Sequence, residues 1–274
     1  MRRKKIINSI NFVVMTLLLL IYIAPFAFVF INSYKLRTEI VTNPIKLPNS
    51  FDLTNYIEAF KKMKFIFAFG NSLLITIFSV SLIVFFSATS AYYFVRVKNK
   101  FNNIMFFIMV ASMIIPFQAI MIPLVSIYGG MGLLNNKLTL IFMYLGFGTS
   151  LAVFMYHGFV KNIPIELEEA AMIDGANRFK TFLTIVFPLL KPITMTLVTL
   201  DVLWIWNDFL LPSLVLMKPN MRTLPLSTFY FFGTYTVDFG LLMAGLMLTI
   251  IPVLILYMFL QKYVIAGVMQ GSIK

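Results

Sequence analysis

The sequence predicts an all-α integral membrane protein whose chain crosses the bilayer six times. Of its 274 residues, 60% are apolar and only 12% are charged, whereas soluble domains carry about 25% charged residues. A soluble domain of this length could not bury so much apolar surface, because most of its accessible area must face water. Six runs of mostly apolar residues follow one another, each near the roughly 20 residues that a spanning helix needs.

The six predicted spans are joined by mostly short connections. They cover residues 10–31, 72–95, 104–127, 138–157, 193–216 and 239–261. The first follows four basic residues and exceeds the roughly 7–15 apolar residues of a signal peptide, so we expect it to be retained. Several spans contain proline, which kinks helices and is tolerated in a membrane where the freed backbone lines a cavity.

The distribution of basic residues predicts the orientation of the chain. If the N-terminus is inside, the inside segments hold 13 Lys and Arg and the outside segments hold 9. This bias favours cytoplasmic termini, with the basic loops against anionic lipid. The exception is the outer segment 32–71, which holds six of the nine outside basic residues. Within it, Tyr56, Ala59, Phe60 and Met63 predict a short amphipathic helix. The net charge is +12, but the sequence has no basic stripe interleaved with aromatic residues. No nucleic-acid partner is therefore expected.

Several chemistries are excluded by composition. The chain has no cysteine and one histidine, so disulfides, thiolate nucleophiles, cysteine-based zinc sites and two-histidine metal sites are ruled out within it. No G-x-x-x-x-G-K-[ST] phosphate loop is present. We therefore expect a protein that is not an enzyme and that binds no metal or cofactor itself. An intramembrane enzyme is the weakest alternative, since no catalytic constellation is visible.

The inside loop 157–192 is long and carries helix signals. Pro164 suits a first helical position, three glutamates follow in the first turns, and Gly175 suits a left-handed turn. A second helix is predicted from residue 176 through 185, ending before Pro188. One face of the first helix carries Leu167, Ala170, Ala171 and Asp174. Its two alanines are small, so another surface can approach this face closely. This helix–glycine–helix unit suits docking into a partner's cleft; the alternative is a hairpin that only caps its own bundle.

The same loop resembles the EAA motif of permeases from binding-protein-dependent ABC importers. That motif is E-A-A, three residues, G, nine residues, and I-x-L-P. The matching residues here are Glu169, Ala170, Ala171, Gly175, Ile185 and Pro188, with Phe187 in place of leucine. Asp174 fits the D-G-A form of the carbohydrate branch, and the run 206–209 resembles its W-N-[DE]-F signature. The resemblance covers the whole chain and is closest to the smaller permease of maltose-type and other oligosaccharide importers.

This resemblance implies a type I ABC importer permease fold with a cytoplasmic coupling helix. It implies a second permease subunit with six or more spans, a dimeric cytoplasmic ABC ATPase that uses ATP and Mg²⁺, and an extracellular sugar-binding protein. It also implies a bacterial plasma membrane. The residues expected to couple to the ATPase are Glu169, Ala170, Ala171, Asp174, Gly175, Ile185 and Pro188. For Glu169 the alternative is only a favourable charge at a helix N-terminus.

The polar and aromatic residues within the spans are candidates for a translocation path. They are Gln118, Trp204, Trp206, Asn207 and Asp208. Aromatic faces stack on sugar rings, and amides or carboxylates bind hydroxyls. The alternatives are an interfacial aromatic with a wet polar end and, for Gln118, a hydrogen bond between helices. The competing function is a stand-alone ion-coupled transporter that uses Asp208 or Asp201; for Asp201, pairing with a neighbouring helix is also open.

Overall fold

The computed structural model describes residues 2–232 and 237–272, and regular structure within them is helical. The α-helices are numbered α1 to α14 in chain order: Arg2–Asn32, Arg37–Thr42, Thr54–Lys62, Phe65–Arg96, Lys100–Ser112, Phe117–Gly130, Lys137–Val160, Glu166–Ile173, Arg178–Thr181, Phe187–Leu189, Lys191–Asn207, Leu210–Val215, Leu224–Ser227 and Phe239–Ser272. A π-helix covers Phe182–Val186, and 3₁₀ turns cover Pro219–Met221 and Thr228–Phe231. The all-α prediction is confirmed.

The predicted spans correspond to four long apolar helices and to bent helix pairs. Within the described residues, α1, α4, α7 and α14 are each long and apolar enough to cross a membrane. The pair α5 and α6 qualifies as one span bent by 102°, and the stretch 178–189 with α11 qualifies as another, bent by 76°. The described residues therefore hold four candidate spans, or six if each bent pair is counted as one span, and the upper number matches the six predicted.

Two predicted spans are not continuous helices. The third, 104–127, breaks between Ser112 and Phe117, where Pro116 has an extended conformation (φ −68°, ψ 138°) before α6. A proline lacks the N–H that would continue the helix, and it disfavours the helical conformation of the residue before it. The fifth, 193–216, breaks at Asp208, which is also extended (φ −68°, ψ 130°) between α11 and α12.

One compact unit comprises residues up to 65 together with 227–252. The predicted amphipathic helix is α3, and it buries Ala59 and Met63. The hydroxyl groups of Tyr56 and Ser33 are hydrogen-bonded at 2.7 Å. In α14, Gly240 approaches the chain so closely that an added Cβ would lie 2.8 Å from the carbonyl oxygen of Lys35.

Lys35 explains part of the basic excess in the first outer segment. Its side chain is buried, and Nζ donates hydrogen bonds to Asn32 Oδ1 and to the carbonyl oxygens of Asn43 and Pro44 at 3.0 to 3.2 Å. Burial lowers the pKa of Lys35. This lysine therefore has a structural role and says nothing about orientation relative to the membrane.

The second unit comprises residues 66–226 and 253 onward. Its core is formed by large buried side chains from α4, α7, the π-helix and α11: Ile75, Ile83, Leu140, Tyr144, Tyr156, Phe182 and Leu197. Helices α4 and α7 approach each other closely at Gly148. A Cβ added there would lie 2.5 Å from Ile83 Cδ1, and Ile83 is fully buried.

We expect Gly148→Val to destabilise the protein, because well-packed cores tolerate added methyl groups poorly, at about 1–3 kcal/mol. Gly146→Val is the matched control: it lies on the same helix, and its added Cβ would meet nothing within 4 Å. The measurement is the melting temperature of each purified variant in detergent. Equal melting temperatures for the two variants would contradict the close approach.

Candidate coupling and translocation sites

The inside loop forms the predicted helix–glycine–helix hairpin. Helix α8 ends in a glycine turn: Gly175 has φ +87°, and its N–H donates to Met172 O while Ala176 N–H donates to Ala171 O. These two bonds and the left-handed glycine define a Schellman motif. The turn is therefore confirmed, and glycine is required there by conformation.

The helix boundaries differ from the prediction. Pro164 precedes α8, which begins at Glu166. The second helix begins at Arg178, because the side chain of Asn177 caps it by accepting from Lys180 N–H. It continues through Pro188 as a π-helix and α10. Pro188 has no N–H to donate, and it is tolerated because it lies in the first turn of α10, directly after the π-helix. The preceding Phe187 N–H donates to Phe182 O.

Most of the predicted coupling residues lie on the outer surface of this hairpin. Exposed members are Glu169, Ala170, Asp174, Gly175 and Pro188, and half-buried members are Ala171 and Ile185. The neighbouring apolar side chains are exposed too, and Ile173 is 86% accessible. An exposed apolar patch with a polar rim is typical of a surface that binds another protein.

The hairpin is fixed to α4 by a buried ion pair that the sequence did not reveal. We call this cluster the Glu168 latch: Glu168, Arg96 and Tyr92. Arg96 Nε and a terminal guanidinium nitrogen lie 2.8 and 2.6 Å from Glu168 Oε1, and Tyr92 Oη donates to Oε2 at 2.8 Å. The same guanidinium donates to the carbonyl oxygen of Ile163 at 2.9 Å. Glu168 is 2% exposed, so its charge is stabilised almost entirely by these groups.

An open cavity of about 610 Å³ lies in the second unit, between α5, α6, α7, α11 and α12. Three of the predicted path residues line it: Gln118, Trp204 and Asp208. Trp204 lies in the last turn of α11, and Asp208 follows directly after the end of this helix, four positions later, so both side chains reach the same cavity. The break at Asp208 lines the same cavity, which is where non-helical backbone is tolerated within a membrane.

Asp208 and Trp204 share one buried neighbour, Tyr144 on α7. The Tyr144 hydroxyl donates to Asp208 Oδ2 at 2.9 Å, and Leu210 N–H donates to Oδ1 at 3.0 Å. The rings of Tyr144 and Trp204 meet edge to face, with centroids 5.5 Å apart. Tyr144 is fully buried, and no sequence motif pointed to it.

Two other predicted path residues lie outside this cavity, because helical rotation turns them onto other faces of α11. Trp206 is buried against Phe69, with ring centroids 5.7 Å apart, and its indole N–H has no hydrogen-bond partner among the described residues. Asn207 is exposed and donates to the carbonyl oxygen of Leu203 at 2.7 Å.

Asp201 is the remaining candidate in the fifth span. It is 5% exposed, and its Oδ2 atom has no hydrogen-bond partner in the described part of the chain. The ion pairs seen there join Glu58 with Lys62 and Glu168 with Arg96. The alternative that Asp201 pairs with a neighbouring helix is therefore not supported by an ion pair among the described residues.

The family model for the binding-protein-dependent transport system inner membrane component matches residues 83–270. The chain belongs to this family of transport permeases, and it is a multi-pass inner-membrane component. The stand-alone ion-coupled alternative receives no support from these matches.

Individual relatives are sugar transport permeases. The chain is 47% identical over 255 residues, 93% of each chain, to the "Probable starch degradation products transport system permease protein AmyC" of Thermoanaerobacterium thermosulfurigenes. It is 34% identical over the full length of both chains to the multiple sugar-binding transport system permease protein MsmG of Streptococcus mutans.

A solved structure confirms the fold. It is the crystal structure of a bacterial ABC transporter involved in the import of the acidic polysaccharide alginate, which matches with a TM-score of 0.82 at 22% identity. The match covers 96% of this chain and 98% of the other. The type I ABC importer permease fold expected from the EAA motif is therefore present.

Proposed function

We propose that this chain is the permease subunit of an ATP-driven oligosaccharide importer in a bacterial plasma membrane, with both termini in the cytoplasm. It forms half of the translocation path beside a second permease subunit, and an extracellular sugar-binding protein delivers the substrate. A dimeric cytoplasmic ATPase supplies the energy and uses ATP and Mg²⁺, so this chain needs no cofactor of its own. The exposed hairpin built from the EAA residues is the observation that carries this proposal.

The hairpin is suited to transmit motion from the ATPase. Its outer face combines Glu169 with small alanines and the exposed Ile173, which lets a partner surface approach closely. Its inner face is held by the Glu168 latch to Tyr92 and Arg96 at the end of α4. Closure of the ATPase dimer would move the hairpin and α4 together, as a rigid-body step in alternating access.

The cavity lined by Trp204 and Asp208 is suited to a sugar on the path. Trp204 is 41% exposed and offers an aromatic face, while Asp208 and Gln118 line the same cavity with polar groups. Sugars present apolar ring faces and directed hydroxyl groups, which need this combination of partners.

We expect Trp204→Ala and Asp208→Asn to lower ATP-driven uptake about tenfold or more, the effect of losing a contact worth about 1.5–3 kcal/mol. The measurement is uptake of radiolabelled maltotriose by proteoliposomes that contain the assembled transporter and its binding protein. Thr196→Ala is the control, because its hydroxyl bonds only within α11. Uptake that continues without ATP, or that a proton uncoupler abolishes at constant ATP, would overturn the proposal.

A further inference from the structure

We propose that Tyr144 is a positioning residue that holds Asp208 and Trp204 as a subsite for a neutral pyranose ring. This inference rests on the proposed function, since it assigns a substrate class to the cavity of the path. It follows from three features of the cavity: the broken helix at Asp208, the burial of Tyr144, and the charges of the lining.

The carboxylate of Asp208 lies where the helix no longer restrains it. Helix α11 ends at Asn207, and Asp208 has an extended backbone. A carboxylate can accept about four hydrogen bonds. One oxygen accepts from Leu210 N–H and the other from Tyr144 Oη. The backbone N–H groups of Phe209 and Leu211 also interact with this carboxylate, which fixes its direction; because Asp208 is half-buried and lines the cavity, a sugar hydroxyl can reach it.

Tyr144 fixes the positions of both the Asp208 carboxylate and the Trp204 ring. Its side chain is fully buried in the core of the second unit, so its hydroxyl has little freedom to move. Its ring meets Trp204 edge to face at 85°, a favoured geometry for two aromatic rings. One rigid side chain thus sets the direction of the carboxylate and the position of the indole, so the site needs little ordering when a ligand binds.

The charges of the lining define the substrate class. Among the described residues that line the cavity, Asp208 is the only ionisable carboxylate, and neither lysine nor arginine is present. The other polar side chains are hydroxyl, amide and indole groups. A uronic acid would bring a second carboxylate beside Asp208 with no cation from this chain to compensate it, whereas a neutral sugar would donate its hydroxyls to Asp208.

The test is equilibrium binding of radiolabelled maltotriose to the assembled transporter, purified without its binding protein. We expect Tyr144→Phe to weaken binding about tenfold, the usual effect of losing one hydrogen bond to a charged group. Tyr156→Phe is the matched control: Tyr156 is equally buried on α7, and its hydroxyl bonds to Thr194 outside the cavity. Asp208→Glu should also weaken binding, because the longer side chain moves the carboxylate away from Tyr144.

The combination of variants separates this inference from the proposed function. We expect the double variant Tyr144→Phe with Asp208→Asn to bind no more weakly than Asp208→Asn alone, since both act on one contact. Wild-type binding by Tyr144→Phe, with weak binding by Asp208→Asn, would overturn the positioning role and leave the path intact. Wild-type binding by Asp208→Asn would overturn the path itself. A triuronate that competes as well as maltotriose would overturn the neutral substrate class.

Discussion

Glu168→Ala is expected to abolish nearly all ATP-driven uptake, although Glu168 is not the glutamate that opens the E-A-A triplet. The substitution leaves the guanidinium of Arg96, 15% exposed in its side chain, without its carboxylate. Removing one partner of a buried ion pair costs about 3–5 kcal/mol, because the other charge stays buried and uncompensated. The Glu168 latch would open, and the hairpin would no longer move as one body with α4.

A penalty of about 3 kcal/mol changes the population of the docked hairpin by a factor of about 100 or more. The measurements are uptake and ATPase activity in the same proteoliposomes. We expect uptake to fall while ATP hydrolysis no longer responds to the loaded binding protein. Glu166→Ala is the control, since Glu166 is exposed in the first turn of the same helix.

Two further variants test the physical reason for this loss. Arg96→Met combined with Glu168→Leu should recover much of the protein's thermal stability, because apolar residues often replace a buried ion pair at little cost. The single and double losses should not add, since the two residues share one interaction. Uptake by Glu168→Ala equal to that of Glu166→Ala would show that the latch has no part in coupling.

The hairpin could be predicted from the sequence because its determinants are local. A glycine at a helix end and a proline beyond it act within a few residues of themselves. The latch could not be predicted, because Arg96 and Glu168 are 72 positions apart and only the tertiary fold brings them together. The sequence drew attention to Glu169, which is exposed, rather than to the buried Glu168 one position earlier.

In the cavity, too, some features could be predicted from the sequence and others could not. The signature from Trp206 to Asp208 groups consecutive residues, yet consecutive residues on a helix point in different directions. Helical periodicity alone would have paired Asp208 with Trp204, four residues earlier. Tyr144 carried no signal, because it is one of 12 tyrosines in an aromatic-rich chain. Proline in the third span indicated a kink near Pro116, but the break at Asp208 was hidden, since apolar runs record composition and not the continuity of a helix.

Gly175→Val is expected to reduce ATP-driven uptake strongly while the chain still inserts and assembles. The turn requires φ +87° at this position, which costs non-glycine residues about 1–2 kcal/mol and β-branched residues more. A second possible reason for the loss would be that a side chain fills the turn. The structure contradicts this second reason, because an added Cβ at Gly175 would meet nothing within 4 Å.

The two reasons make opposite predictions for a pair of smaller changes. If size were the obstacle, Gly175→Asn would be worse than Gly175→Ala. If the backbone conformation is the obstacle, Gly175→Asn should be the milder change, because asparagine tolerates the left-handed region. Gly158→Val is the control, a helical glycine with equally open space around it. Uptake in the order Gly175→Asn, Gly175→Ala, Gly175→Val, from highest to lowest, is therefore the result that the Schellman turn requires. The reverse order of the first two would mean that a partner surface closes on this turn and that its packing, not its backbone, sets the need for glycine.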